Sequence, residues 1–148
     1  MICRKMTKDD VEGVYNIEVQ SFSTPWTRDS IKSELKNRLS NYIVCEIDGK
    51  IVGYIGSWII IDEAHITNVA VDPSYRGRGI GGSLIQSLIE DCKEKYIKSM
   101  TLEVRVSNVV AQSLYKKYGF KPGGIRKEYY SDNREDAIIM WNQIGEVF

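Results

Sequence analysis

The sequence predicts a mixed α/β (α+β) fold: a twisted, mostly antiparallel sheet of about seven strands flanked by about four helices, in one domain spanning residues 1–148. Three observations lead there. Residues 41–72 alternate apolar and polar side chains around an Asp-Gly turn; four segments, after Thr7, Pro25, Pro73 and Asn108, switch to helical spacing; and the C-terminal stretch returns to strand alternation.

Taken in order, "MICRKM" reads as the first strand. Thr7 followed by Asp10 resembles a capping box with Asp where Glu or Gln is usual, and Val11, Val14, Tyr15, Val19 and Phe22 then fall mainly on one helical face. After "STP" a second helix runs from Trp26 or Thr27 to about Asn37. "YIVCEI", the turn "DGK" and "IVGYIGSWIII" form a hairpin, and a short turn at Asp62 and Glu63 leads into "HITNVAVD", completing an antiparallel meander. Beyond Pro73, Ile80, Leu84 and Leu88 with Ile85, Ile89 and Cys92 make one broad apolar stripe. "SMTLEVRV" is a strand with Met100, Leu102, Val104 and Val106 on one face and Thr101, Glu103 and Arg105 on the other. Asn108 caps a last helix carrying Ala111, Leu114, Tyr115 and Tyr118, which Gly119 ends, and "IRKEYY" and "DAIIMW" form a final hairpin turning at "SDNRE".

Composition narrows the function classes. Hydrophobic residues at 43% and charged residues at 27% belong to an ordinary globular chain, and no apolar run approaches the roughly 18 residues of a membrane span. The charged N-terminus "MICRKMTKDD" has no signal-peptide core, so a cytoplasmic protein without a membrane partner is expected. Twenty basic residues balance twenty acidic ones, which removes the broad positive field of a protein held directly to nucleic acid. Cys3, Cys45 and Cys92 are odd in number and widely spaced, so neither a disulfide framework nor a CxxC metal site is expected. A single histidine, His65, reads as a residue entering a strand, and no metal is expected.

Between the meander and the apolar stripe lies "RGRGIGG", Arg76 to Gly82. Glycines at a helix start let an anion approach unpaired N–H groups without interference from Cβ, and the interleaved Arg76 and Arg78 favour the same charge. Gly77, Gly79 and Gly82 also satisfy the dinucleotide spacing GxGxxG, with Glu103 about twenty residues on. Context argues against an NAD-binding protein: "PSYR" separates the glycines from their strand, and the preceding strands form an antiparallel meander where a parallel sheet needs βαβ units. A P-loop fails because no Gly-Lys-Ser/Thr follows.

The spacing Arg-x-x-Gly-x-Gly at Arg76, Gly79 and Gly81 resembles the pyrophosphate-binding signature of the GNAT N-acetyltransferases, and "SNVVAQSLYKKYGF" resembles their Asn-x-x-Ala-x-x-Leu-Tyr-x-x-x-Gly-Phe segment. The likeness covers the whole chain. Within the superfamily, "FSTPWT", "LEVRVSN" and "REDAIIM" are similar to the bacterial branch that acetylates the N-terminal alanine of a ribosomal protein. The resemblance implies acetyl-CoA as cosubstrate. Backbone groups of Val69, Ala70 and Val71 would pair with its pantetheine arm, and Arg76, Gly77, Arg78, Gly79, Ile80, Gly81 and Gly82 would wrap its diphosphate, with Asn108 contacting it near the last helix start.

It further implies Glu103 as general base and Tyr115 as the acid that protonates the departing sulfur. From the residues alone, Glu103 reads as a solvated strand glutamate and Tyr115 as a core side chain, and the family resemblance reverses the reading of Glu103; a pKa raised by partial burial would improve Glu103 as a base. Acidic Glu128, Asp132 and Glu135 in the final hairpin suit a basic N-terminal peptide. The expected partner is therefore a protein N-terminus, a ribosomal one, met by a monomer or weak homodimer. A small-amine acetyltransferase acting on a polyamine or aminoglycoside, and a catalytically idle coenzyme A-binding module, are the alternatives.

Overall fold

The computed structural model describes residues 1–145; the last three positions of the expected domain lie outside the described residues. Seven strands form one sheet: β1 (Ile2–Lys5), β2 (Ser40–Ile47), β3 (Lys50–Ile60), β4 (Glu63–Val71), β5 (Ser99–Arg105), β6 (Lys121–Arg126) and β7 (Ala137–Gln143), in the order β1-β2-β3-β4-β5-β7-β6. Four α-helices accompany them: α1 (Val11–Ser21), α2 (Arg28–Lys36), α3 (Ile80–Glu94) and α4 (Val109–Lys117). All neighbouring strands run antiparallel except β4 and β5.

Local chemistry accounts for most boundaries. The β2–β3 hairpin turns on Asp48 and Gly49, both at positive φ (50° and 78°), the geometry a two-residue hairpin needs. Thr27 caps α2 by accepting from the Ser30 N–H at 3.1 Å, and Asn108 caps α4 by accepting from the Ala111 N–H at 3.1 Å. Before α1, the Thr7 N–H donates to Asp10 Oδ2 at 2.7 Å, and the same carboxylate is gripped by Arg4 at 2.8 Å.

The sheet divides two cores. α3 buries its whole predicted stripe, Ile80, Leu84, Ile85, Leu88, Ile89 and Cys92, against the face that carries Val52, Ile55, Met100, Leu102 and Val104. On the opposite face α1 and α2 pack Val11, Val14, Ile17 and Ile31 over Tyr42, Val44 and Tyr54. That second layer covers only the β2–β4 half, so the Glu103 face of β5 has no helix above it.

Several expectations change. Ile17 and Glu18, rather than Val19 and Phe22, complete the buried face of α1; Val19 and Phe22 stay exposed. The strand expected over "IRKEYY" is displaced to Lys121–Arg126, and residues 127–136 form a loop. Cys3 and Cys45, far apart in sequence, are rung partners of β1 and β2 and form a disulfide, so the expectation of no cystine is overturned. Their spacing could not show this because the register of two distant strands sets the pairing.

Gly56 lies opposite the β-bulge that β4 makes at Thr67, where the Tyr42 ring crosses β3; a Cβ built on it would stand 2.5–2.9 Å from ring carbons of that buried side chain. Gly56→Ala is expected to destabilise the fold by about 1–3 kcal/mol through overpacking, read as a lower urea midpoint with an unchanged slope.

Candidate active site

β4 and β5 pair for three rungs only, Glu63↔Ser99, Ala64↔Met100 and His65↔Thr101, and then part. Beyond His65, β4 stays with β3 as far as Val71, while β5 stays with β7 as far as Arg105. A cleft of about 800 Å³ opens from the gap. Ile66–Val69 form one side and Leu102–Arg105 the other; Asn108, Ala111 and Tyr115 of α4 close one end, with Tyr130 and Asp132 of the last loop beside them. Phe22–Thr24 and Trp26 rim it from the α1–α2 connection. The inner edge of β4 carries no ladder bonds to β5 from Ile66 onward, so its N–H and C=O groups face the gap as a strand edge does.

That edge runs directly into the glycine cluster. Asp72 is buried, accepts from the Ser74 N–H at 2.9 Å and pairs with Lys50 at 3.3 Å, which sets the turn after β4. Its pKa is lowered, chiefly by the Ser74 N–H. Gly77 and Gly79 then adopt φ of 79° and 77°, and a Cβ at either would meet nothing within 4 Å. Gly79 is the N-cap of α3 and no side chain caps the helix, so its first N–H groups are open to an anion. Arg76 and Arg78 are exposed, Arg78 over the Tyr75 ring at 4.8 Å.

The other two glycines have different surroundings. A Cβ on Gly81 would lie 3.2 Å from Leu114, and one on Gly82 would collide with the Tyr118 hydroxyl. They sit inside α3 and let α4 pack closely against it. Thus the structure brings Val69, Glu103, Asn108 and Tyr115 to one cleft, while Arg76–Gly82 lies outside its lining, joined to it through β4. Ala70 and Val71 are continuous with Val69, but Ala70 buries its side chain among the α1–α2 core.

Glu103 lines the cleft with a side chain only 9% exposed. His65 Nε2 lies 2.5 Å from its Oε2, and Arg126 Nε donates to its Oε1 at 3.2 Å. The hydrogen bond to His65 outweighs desolvation, so the carboxyl is held below its ordinary pKa, opposite to the upward shift expected from partial burial. The same contact raises His65. Tyr115 meets Phe120 edge-on at 5.8 Å, and burial pushes its hydroxyl up to about 12.

The acidic wall expected from the last loop is largely neutralised. Arg105 reaches Asp132 at 2.9 Å, Glu135 at 3.2 Å and Asn133 at 3.1 Å, and its guanidinium lies 3.9 Å over the Tyr130 ring. Glu135 also accepts from the Ser107 N–H at 2.7 Å, and its hydrogen bonds with Ser107 lower its pKa to about 2. These acids fold the loop onto β5 instead of presenting charge to a peptide.

Sequence reasoning assigns no site role to Glu18, Arg105 or Arg126, and reads His65 only as a residue entering a strand. Glu18 is 2% exposed, accepts from the Trp26 N–H at 3.2 Å and from the Tyr54 hydroxyl, and so ties the cleft-rim loop to β3. A signal for it existed: with Val11 and Val14 it falls at i, i+3 and i+7, an acid on an apolar face. For the other three only strand pairing supplies the proximity. Among the described residues no group of three or more His, Cys, Asp or Glu side chains is placed to hold a metal.

The model of the acetyltransferase (GNAT) family matches residues 11–120. A Bacillus subtilis protein provisionally named [ribosomal protein bS18]-alanine N-acetyltransferase is 54% identical over 144 residues, 97% of this chain and 95% of that one. The [ribosomal protein bS18]-alanine N-acetyltransferase of Escherichia coli K12 is 36% identical over 133 residues, 88% and 89% of the two chains. The crystal structure of the ribosomal-protein-S18-alanine N-acetyltransferase from Escherichia coli superposes with a TM-score of 0.91 at 32% identity, covering 99% of this chain and 96% of that one. Because the family match runs from the first residue of α1 past the end of α4, across both arms of the parted strands, the chain belongs to the GNAT family of acetyltransferases.

Proposed function

We propose that this chain is an acetyl-CoA-dependent N-acetyltransferase that acetylates the N-terminal alanine of ribosomal protein bS18, with residues 1–148 working as one domain. One observation carries the reading: the β4–β5 gap gathers Glu103 and Tyr115 into a cleft whose bare strand edge leads to an uncapped, glycine-lined helix start. The acceptor is suggested by the Escherichia coli relative, which carries that activity in its name and matches over most of its length.

The residues present fit the acyl carrier. Open space over Gly77 and Gly79 and the absence of a side-chain cap leave room for a diphosphate at α3, flanked by Arg76 and Arg78. Arg76, Gly77, Arg78, Gly79, Ile80, Gly81 and Gly82 would hold it, Val69, Ala70 and Val71 would offer backbone groups to a pantetheine arm, and Asn108 would close the cleft end. Bound acetyl-CoA supplies an activated acetyl thioester. An N–H on the unpaired edge of β4 is a fixed donor for negative charge developing on the carbonyl oxygen.

An α-amino group has a pKa of about 7.7–8.0 against about 10.4 for lysine, so a protein N-terminus needs little help to lose its proton. Glu103, ionised at neutral pH, accepts that proton as the nitrogen bonds to the acetyl carbon, directly or through a water. Tyr115, kept as the phenol by burial, donates its proton to the leaving sulfur. With the Arg105 cluster spent on the loop, the acidic groups left lining the cleft near its centre are Glu18 and Glu103. A ribosomal acceptor suits a cytoplasmic enzyme, and we take it as a monomer or weak homodimer; because the cytoplasm is reducing, the Cys3–Cys45 bridge is expected to persist only under oxidising conditions.

Incubation with acetyl-CoA and a panel of Ala-starting peptides, blocked Lys peptides and small amines tests the acceptor; mass gain confined to the peptides with free N-termini is expected, and gain on small amines alone would overturn it. Tyr115→Phe and Glu103→Gln are each expected to lower turnover by about 10²-fold or more, with coenzyme A affinity and melting temperature close to wild type. For Gly79→Val, strain at positive φ and a side chain at the helix start should raise the acetyl-CoA KM by more than about tenfold; an unchanged KM would remove the loop from the binding site.

A further inference from the structure

The partner of Glu103 is the only histidine in the chain. The last β4–β5 rung sets His65 against Thr101, and Glu103 stands two residues further along β5. Its two oxygens are divided: Oε2 lies 2.5 Å from His65 Nε2, and Oε1 takes the Arg126 Nε–H at 3.2 Å. Glu103 lines the cleft, whereas His65 does not; its side chain is 32% exposed, outside the cleft lining. The imidazole therefore touches the carboxylate from behind while remaining open to bulk protons.

We propose that His65 is the positioning residue of the proton acceptor: it fixes one Glu103 oxygen, and its own protonation decides whether that carboxylate can take a proton from the amine. This rests on the reading of Glu103 as the base. Beside an imidazolium the carboxylate is held between two cations and is a weak acceptor; beside a neutral imidazole only the Arg126 guanidinium remains as an ion-pair partner, and basicity rises. The groups facing the imidazole are Glu103 from β5, Arg126 from β6 and Glu63 from β4 itself; Trp58, its rung partner on β3, carries no charge. Tyr129 of the last loop lies near Glu103 and Arg126.

Glu103 raises His65 and His65 lowers Glu103, each being the largest cause in the other, so the two directions agree. The raised imidazole stays protonated past its ordinary value, and base function returns as pH rises through that higher titration. The amine titration is separate, and the two steps belong to the coupled system as a whole.

A lone histidine gives a single imidazole signal in the untagged chain, so its titration can be followed by NMR. The wild-type imidazole should titrate above about 6.5, and Glu103→Gln should bring it down. In His65→Gln, where an amide N–H can still reach Glu103 but cannot titrate, the ratio of turnover at about pH 6 to that at about pH 9 should rise severalfold. His65→Ala should lower plateau turnover on the order of tenfold, with His65→Gln recovering most of it at similar melting temperature. A His65→Gln profile that superimposes on wild type, or an imidazole titration indifferent to Glu103→Gln, would overturn the inference while leaving Glu103 as base. Full turnover in Glu103→Gln would overturn both.

Discussion

The early parting of β4 from β5 is the constraint on which the molecule depends. Each strand has a long antiparallel partner on its outer side, β3 for one and β7 for the other, so opening the gap gives up parallel rungs and leaves the better ladders whole. The bulge at Thr67, the extra residue between Ile66 and Asn68, turns β4 away at the point where the gap begins. What remains is a line of backbone donors and acceptors inside a folded protein. Such groups are costly to leave unmatched, so the edge is suited to a ligand that bonds like a strand.

Around that gap, buried polar groups hold the irregular segments. Glu18 is spent on Trp26 and Tyr54, Asp72 on Ser74 and Lys50, and Arg105 on three residues of the last loop and the face of Tyr130. Each joins a loop to a strand or helix that is itself packed in a core. Removing one partner from Glu18 or Asp72 would strand a carboxylate away from water, the costly side of the hydrogen-bond balance. The cleft walls are thereby as determined as the sheet, although little of them is regular structure.

Electrostatics then separates two kinds of acid. Asp132 and Glu135 are bound into the loop and serve its shape, while Glu103 faces the cleft with its charge shared between an imidazole and a guanidinium. The glycine cluster divides in a comparable way. Gly77 and Gly79 leave an approach to α3 bare, whereas Gly81 and Gly82 let Leu114 of α4 and Tyr118 at its C-cap close on that helix. One motif thus clears a path for an anion and also docks the helix that carries Tyr115.

Much of this was legible in the chain because it is local. Alternation, the Asp-Gly turn, the α3 stripe and the Asn108 cap depend on residues within a few positions of one another, and they determined the strands, the helices and the placement of the glycine cluster at a helix start. The family motifs added Glu103 and Tyr115 as candidates. The Cys3–Cys45 bridge, the His65–Glu103–Arg126 contact and the neutralised acidic loop were decided only by tertiary structure, because each joins residues from strands or loops distant in sequence. Register and crossover order set those proximities, and the sign of the Glu103 shift follows from them: burial alone pushes a carboxyl up, and only the neighbour that folding brings to it reverses the direction.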